Sequence, residues 1–220
     1  MSRWGVGKNR SGVPRRTFKR LPRKTTILIV CEGKETQRNY FDGLKREDAV
    51  RQRFAVTVKR GKGGSPLAVA QFAVKQKNQS VADYDEVWCV MDVEGLDRRD
   101  ELRKAIECLK ANHIRPCLSN PAFEVWLLAH FEKTATAFAN CDAVISRLNS
   151  HWQQHFGEKY NKADRNIYSR VARLTNNAIE NARWVHQTHN ASRPCVLDCN
   201  SSAEVYLLVS RLCGLNADPA

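Results

Sequence analysis

The chain has 220 residues, 42% of them hydrophobic, and carries 36 Lys and Arg against 23 Asp and Glu for a net charge of +13. That is enough to bury one substantial core with a small appended part. No apolar run approaches the roughly 18 residues of a membrane span, and the basic N-terminus lacks the apolar stretch of a secretory signal, so a cytoplasmic protein without membrane contact is expected.

The excess charge opens the chain. Residues 1–24 hold nine Lys or Arg and no acid, leaving 27 basic against 23 acidic residues beyond them. This arm, with Arg15, Arg16, Lys19 and Arg20, suits phosphate neutralisation by counterion release, a solubilising tail being the alternative. Ile27 to Val30 then reads as a buried strand running through Cys31 to an acid, Glu32, and a glycine, Gly33. Glu32 either begins a solvated turn or marks a site at a strand end.

Tyr40, Phe41 and Leu44 share one face of a helix over 36–45. Phe54 to Val58 reads as a second strand, leading into a basic, glycine-rich loop, Lys59 to Pro66, in which Ser65 caps the next helix and Pro66 opens it. With Lys34, the cations Lys59, Arg60 and Lys62 could hold phosphates there, or the loop is an ordinary flexible one. The spacing of a nucleotide-hydrolysing P-loop is absent.

A third strand, Val87 to Met91, ends on Asp92, with Glu94 and Gly95 following. Strands alternating with helices predict an α/β fold with a largely parallel sheet of about four strands. Ligands bind such sheets beyond the carboxyl ends of the strands, where Glu32, Asp92 and Glu94 could converge. An amphipathic helix over 100–112 leads to a fourth strand, Ile114 to Leu118.

Phe123 to Phe131 is apolar nearly all round and is expected to be a buried helix. On it Glu124 needs a partner or a metal, while His130 reads as a core histidine. From about residue 134 the pattern is helical and more polar. Lys159 to Lys162, cationic with an aromatic, reads as a solvated connector, contact with nucleic acid being the alternative, and His151 and His155 read as surface histidines. Asn200 to Ser202 reads as the cap of a terminal helix that returns to the core. The expected organisation is a basic arm (1–24), an α/β core (25–133) and a helical insert with a returning C-terminal segment (134–220).

Eight cysteines, most of them in apolar runs, read as reduced core thiols. The close pair Cys195 and Cys199 lacks the second pair that a zinc site needs. Carboxylates at strand ends are at odds with a basic, nucleic-acid-binding chain unless a cation stands between. Mg²⁺ or Mn²⁺ bound by carboxylate oxygens would resolve this and points to phosphodiester hydrolysis.

The stretch Ile27 to Phe41 (ILIVCEGKETQRNYF), Trp88 to Asp92 (WCVMD), Ser119 to Phe131 (SNPAFEVWLLAHF) and Asn200 to Ser202 (NSS), in this order and spacing, resemble the RloB-like family. The resemblance covers about residues 24–212 and implies a Toprim-like fold, in which an acid after the first strand and an Asp-x-Asp pair after the third bind metal. Carried over, Glu32, Asp92 and Glu94 are the metal-binding and catalytic acids, with Glu124 as a further site residue. Glu94 stands where an Asp is usual and Gln37 where Glu is common, so position 37 is left out. The resemblance further implies a role in antiphage defence, cleavage of RNA such as transfer RNA or of DNA, and control by an ABC-type ATPase partner. Homo-oligomerisation is left open. The rival expectation is a non-catalytic nucleic-acid-binding or regulatory subunit of an ATPase-containing complex.

Overall fold

A computed structural model describes residue 1 and residues 23–80, 83–190 and 196–215; the arm residues Arg15, Arg16, Lys19 and Arg20 lie outside the described residues. The expected α/β architecture is the one observed. Four strands, β1 (Thr25–Cys31), β2 (Phe54–Arg60), β3 (Glu86–Asp92) and β4 (Arg115–Ser119), form one sheet in the order β2-β1-β3-β4 with every pairing parallel.

Parallel strands need long crossovers, and the helices supply them. Helices α1 (Thr36–Leu44) and α2 (Asp48–Arg53) join β1 to β2, α3 (Pro66–Asn78) joins β2 to β3, and α4 (Arg99–Ala111) joins β3 to β4. Ser65 caps α3, accepting the Ala68 N–H at 3.4 Å, and Pro66 is its first residue. The short α2 is not signalled by the hydrophobic pattern, because only Val50 of its six residues is buried.

Both faces of the sheet are covered, so its central strands read as continuous apolar runs rather than alternating ones. Ile27, Ile29 and Cys31 face one core and Leu28 and Val30 the other. The second core is closed by α3 and α4 through Val69, Ala70, Ala73, Leu102 and Leu109. The first takes α1 and the helices that follow β4: α5 (Glu124–Ala129), α6 (Cys141–Phe156), α7 (Ile167–Val171), α8 (Thr175–Asn190) and α9 (Val205–Cys213). As its apolar circumference requires, α5 is buried on every side. Its outward neighbours are α6 and α8, while α7 packs on α1.

Two local expectations are corrected. Lys59 and Arg60 end edge strand β2, paired in register as far as Cys31 with Arg60, and do not belong to the loop. Asn200 to Ser202 does not cap the last helix: Glu204 precedes α9 without a side-chain cap. The stretch is instead pinned to the exit of β4, where Asn120 N–H donates to Ser202 O at 2.8 Å and Ser119 bridges Ala203 antiparallel. Asn200 also clamps the backbone of Phe138 through both its amide atoms. The seven described cysteines are free thiols. Among the described residues no helix is long and apolar enough to cross a membrane.

Candidate active site at the ends of β1 and β3

In the order β2-β1-β3-β4 the chain leaves β1 toward one side and later returns to its other side, so the crevice between β1 and β3 is the topological switch point at which open parallel sheets bind ligands. Glu32 follows β1 directly and Asp92 ends β3. The Glu32 N–H donates to Val90 O at 2.9 Å, which carries the ladder one residue past the strand and fixes the start of the side chain. Glu32 Oε2 then accepts the Asp92 N–H at 2.9 Å. Two acids sixty residues apart are thereby locked together through one backbone hydrogen bond.

Gln37, on the first turn of α1, spans the same gap. Its Oε1 accepts the Gly33 N–H at 3.0 Å and its Nε2 donates to Asp92 Oδ1 at 3.1 Å. A Cβ on Gly33 would stand 3.1 Å from the Gln37 side chain, so the glycine lets the amide close over the turn. Gln37 is almost wholly buried. A glutamate there would have no N–H to give Asp92 and would add a fifth acid, so the amide is matched to its neighbour.

Past β3 the chain runs beside the exit of β4, Val93 N–H donating to Ser119 O and Glu94 N–H to Pro121 O. Glu94 holds a left-handed backbone, φ 50°, a conformation that costs a non-glycine residue on the order of 1 kcal/mol. The next turn brings Arg98 back over the acids. Its Nη2 lies 2.5 Å from Glu32 Oε1, and its Nη1 bonds Glu94 Oε2.

Glu124, the first residue of α5 and only 3% exposed, completes the group from the far side. Its Oε1 accepts the Tyr160 hydroxyl at 3.0 Å and lies 3.6 Å from Lys162 Nζ, while Cys141 Sγ is 3.5 Å from Oε2. The Tyr160 hydroxyl also meets Thr36 Oγ1 at 2.9 Å, tying the connection between α6 and α7 to the start of α1. Lys159 to Lys162 is therefore more than a solvated connector: two of its four side chains reach the acid cluster.

Asp92 feels the whole group. Burial first, then the charges of Glu124, Glu32 and Glu94, push its carboxyl well above the usual carboxylate range, with a hydrogen bond from the Phe123 N–H opposing. Burial, followed by Glu124, likewise pushes the Tyr160 hydroxyl up, and raises the Cys141 thiol to about 12, so that Cys141 stays a neutral thiol. Buried His130 is driven down to about 4, with Nδ1 3.0 Å from Trp126 O. It is a neutral core histidine. His151 is not free on the surface, since its Nε2 meets Glu132 at 2.6 Å and its ring stacks on Phe131.

Of the cationic residues, Lys34 follows Glu32 in the turn after β1, and the others lie one strand over, on β2 and the loop after it. Arg60 is paired in register with Cys31, the residue before Glu32, about 4.8 Å away across the ladder. Arg60, Lys62 and Lys34 are exposed, whereas Lys59 spends its ammonium on Gln76 Oε1 at 2.5 Å.

The four acids form an all-oxygen donor set of the kind hard divalent cations take. As they stand, no three His, Cys, Asp or Glu side chains among the described residues are placed to share one ion, and the cation at Glu32 and Glu94 is the Arg98 guanidinium. Nothing local in the sequence distinguishes Arg98 from the other charges of Asp97 to Asp100, and Tyr160 carries only the signal of an aromatic in a polar stretch.

No curated protein and no solved structure matches the chain. A family model described as RloB-like protein matches residues 27–212, a span that contains β1 through α9 almost entire and every acid of the cluster. The chain belongs to the RloB-like protein family.

Proposed function

We propose that the protein is a Toprim-like, Mg²⁺- or Mn²⁺-dependent nuclease that hydrolyses phosphodiester bonds of RNA or DNA in antiphage defence, under the control of an ABC-type ATPase partner. The observation that carries the nuclease reading is the gathering of Glu32, Asp92, Glu94 and Glu124 at the switch point of a parallel sheet, in a chain with surplus positive charge. The defence role and the ATPase partner rest on the family resemblance.

In this reading Glu32, Asp92 and Glu94 hold the ion, which when bound neutralises charge on the phosphoryl oxygens and sharpens the attacking water. Gln37 and the Asp92 N–H fix the orientation of Asp92 and Glu32. Asp92, whose carboxyl is pushed up by burial and by the neighbouring acids, would hold an ion through its ionised form. Glu32 works through Oε1, the oxygen not spent on the Asp92 N–H, as ligand or as acid–base group. Glu124, held by Tyr160, keeps Asp92 in a field of negative charge. Lys34, Arg60 and Lys62 take the substrate backbone beside the acids, and the arm extends that contact.

A second reading, a non-catalytic nucleic-acid-binding subunit, draws on the Arg98 bridge and on there being, among the described residues, no three groups placed for one ion. One experiment separates the two. The purified full chain, with and without the ATPase, is incubated with labelled RNA and DNA in Mg²⁺ or Mn²⁺, beside Glu32→Gln and Asp92→Asn. Cleavage that disappears in both variants while nucleic-acid binding remains supports the nuclease. Cleavage that survives both substitutions refutes it, and binding without cleavage under every condition favours the second reading.

A further inference from the structure

Three of the four clustered acids have cationic company, and it is unevenly shared. Glu124 has Lys162 at 3.6 Å, half exposed. Asp92 is bonded by neutral donors alone among those described, the Gln37 amide and the Phe123 N–H. Glu32 and Glu94 share Arg98, one guanidinium nitrogen to each, with the Arg98 and Glu32 side chains 21% and 17% exposed. The guanidinium therefore spans, from the protein's own chain, the two carboxylates that flank Asp92 in the metal-binding reading.

Arginine stays protonated in proteins, so this charge cannot be removed by losing a proton. A divalent ion that takes oxygens from Glu32 and Glu94 meets a cation already bonded to both, and two cations at one set of oxygens repel. The guanidinium must move. Its attachment permits that: Arg98 closes a three-residue turn, Leu96–Arg98, between Gly95 and α4, and its long side chain is already partly in solvent. Neighbouring Arg99 is committed elsewhere, bonding Asp198 Oδ1 at 2.8 Å and Leu197 O at 2.9 Å, and so supplies an internal control.

We propose that Arg98 is the resident counter-cation of the metal-free site, and that divalent metal binds by displacing its guanidinium from Glu32 and Glu94. This rests on the metal-dependent reading above and adds regulation to it: the bridge sets the metal concentration below which the acids stay closed. Arg98 is here a gating residue that acts on the ligands and not on the substrate.

The test measures binding of Mn²⁺ alone to the full chain, by the loss of the free-ion paramagnetic resonance signal, with Mg²⁺ as competitor. Arg98→Gln is expected to bind Mn²⁺ about tenfold more tightly than wild type, equivalent to about 1.4 kcal/mol. Arg99→Gln should stay within about twofold, since a general change of surface charge is screened. Should Arg98→Gln fail to fold, Arg98→Lys, which keeps the charge and loses the fork, is expected to bind severalfold more tightly. Equal affinity of the Arg98 variants and wild type, or weaker binding by them, overturns the displacement while leaving a metal site in place. No Mn²⁺ binding by wild type or variants overturns the metal reading and the displacement together.

Discussion

Tyr160→Phe tests whether the connection between α6 and α7 is part of the acid cluster. The substitution removes one oxygen and leaves the ring, so the edge-on contact with Trp152, centroids 5.4 Å apart, is kept. What is lost is the 3.0 Å bond to Glu124 Oε1 and the 2.9 Å contact with Thr36 Oγ1. Thr36 retains Lys162 O at 3.4 Å, but Glu124 is left with a half-exposed ammonium at 3.6 Å and a thiol at 3.5 Å. A hydrogen bond to a charged group contributes about 1.5–3 kcal/mol, and the exposed pair replaces little of it. A loss of about 2 kcal/mol is expected, a fall in Tm of roughly 4–8 °C for a chain of this size. Urea unfolding followed by tryptophan fluorescence measures it. A double-mutant cycle with Glu124→Gln should return a coupling of about 1–2 kcal/mol. A Tyr160→Phe protein within about 0.5 kcal/mol of wild type, or a cycle with no coupling, would show that the hydroxyl does not hold the carboxylate and refute the reasoning.

Gly43→Ala should destabilise the protein although alanine favours helices by up to about 1 kcal/mol, because its Cβ would stand 2.5 Å from the Tyr168 Cβ where α1 and α7 touch. Overpacking of that kind costs about 1–3 kcal/mol, and a melting temperature at or above wild type would disprove the close approach. Glu204 accepts the Leu118 N–H at 2.9 Å, and burial raises its carboxyl to about 7. Since the unfolded chain ionises this group near its ordinary value, its contribution is fully favourable below about pH 4.5 and is lost as pH rises toward 7. At 1.36 kcal/mol per unit the loss is about 3 kcal/mol at most, and residual solvent contact lowers it to ~1–2 kcal/mol. Glu204→Gln, which keeps the acceptor, should therefore stabilise the protein at pH 8 and leave it unchanged at pH 4.5; a gain of equal size at both pH values would rule out titration as the cause.

Much of the fold is legible because it is written in local pattern. The runs Ile27 to Val30 and Val87 to Met91 are apolar without alternation, as strands buried on both faces must be, and Ser65-Pro66 carries the chemistry of a helix start. The edge strand is less legible. Its ladder with β1 extends over Lys59 and Arg60, whose side chains read as loop, because pairing with a neighbour, and not side-chain preference, decides where an edge strand ends. Asn200-Ser201-Ser202 has the composition of a cap, yet its backbone is claimed by the exit of β4, a partner eighty residues away.

The candidate site divides in the same way. Glu32, Asp92 and Glu94 stand out because each follows an apolar strand, and Glu124 because it interrupts a helix with no polar face; these are signals carried by nearest neighbours in the chain. Arg98 and Lys162 carry none, and Gln37 and Tyr160 carry none that tells their role, since an amide, a guanidinium or a phenol takes its role from what lies opposite it. The sequence by itself determined the strands, the helices that cross between them and the acids at the strand ends. Only the tertiary structure decided that those acids meet, and that an arginine bridges two of them, because strand order and the return of the turn after β3 depend on contacts between residues distant in the chain.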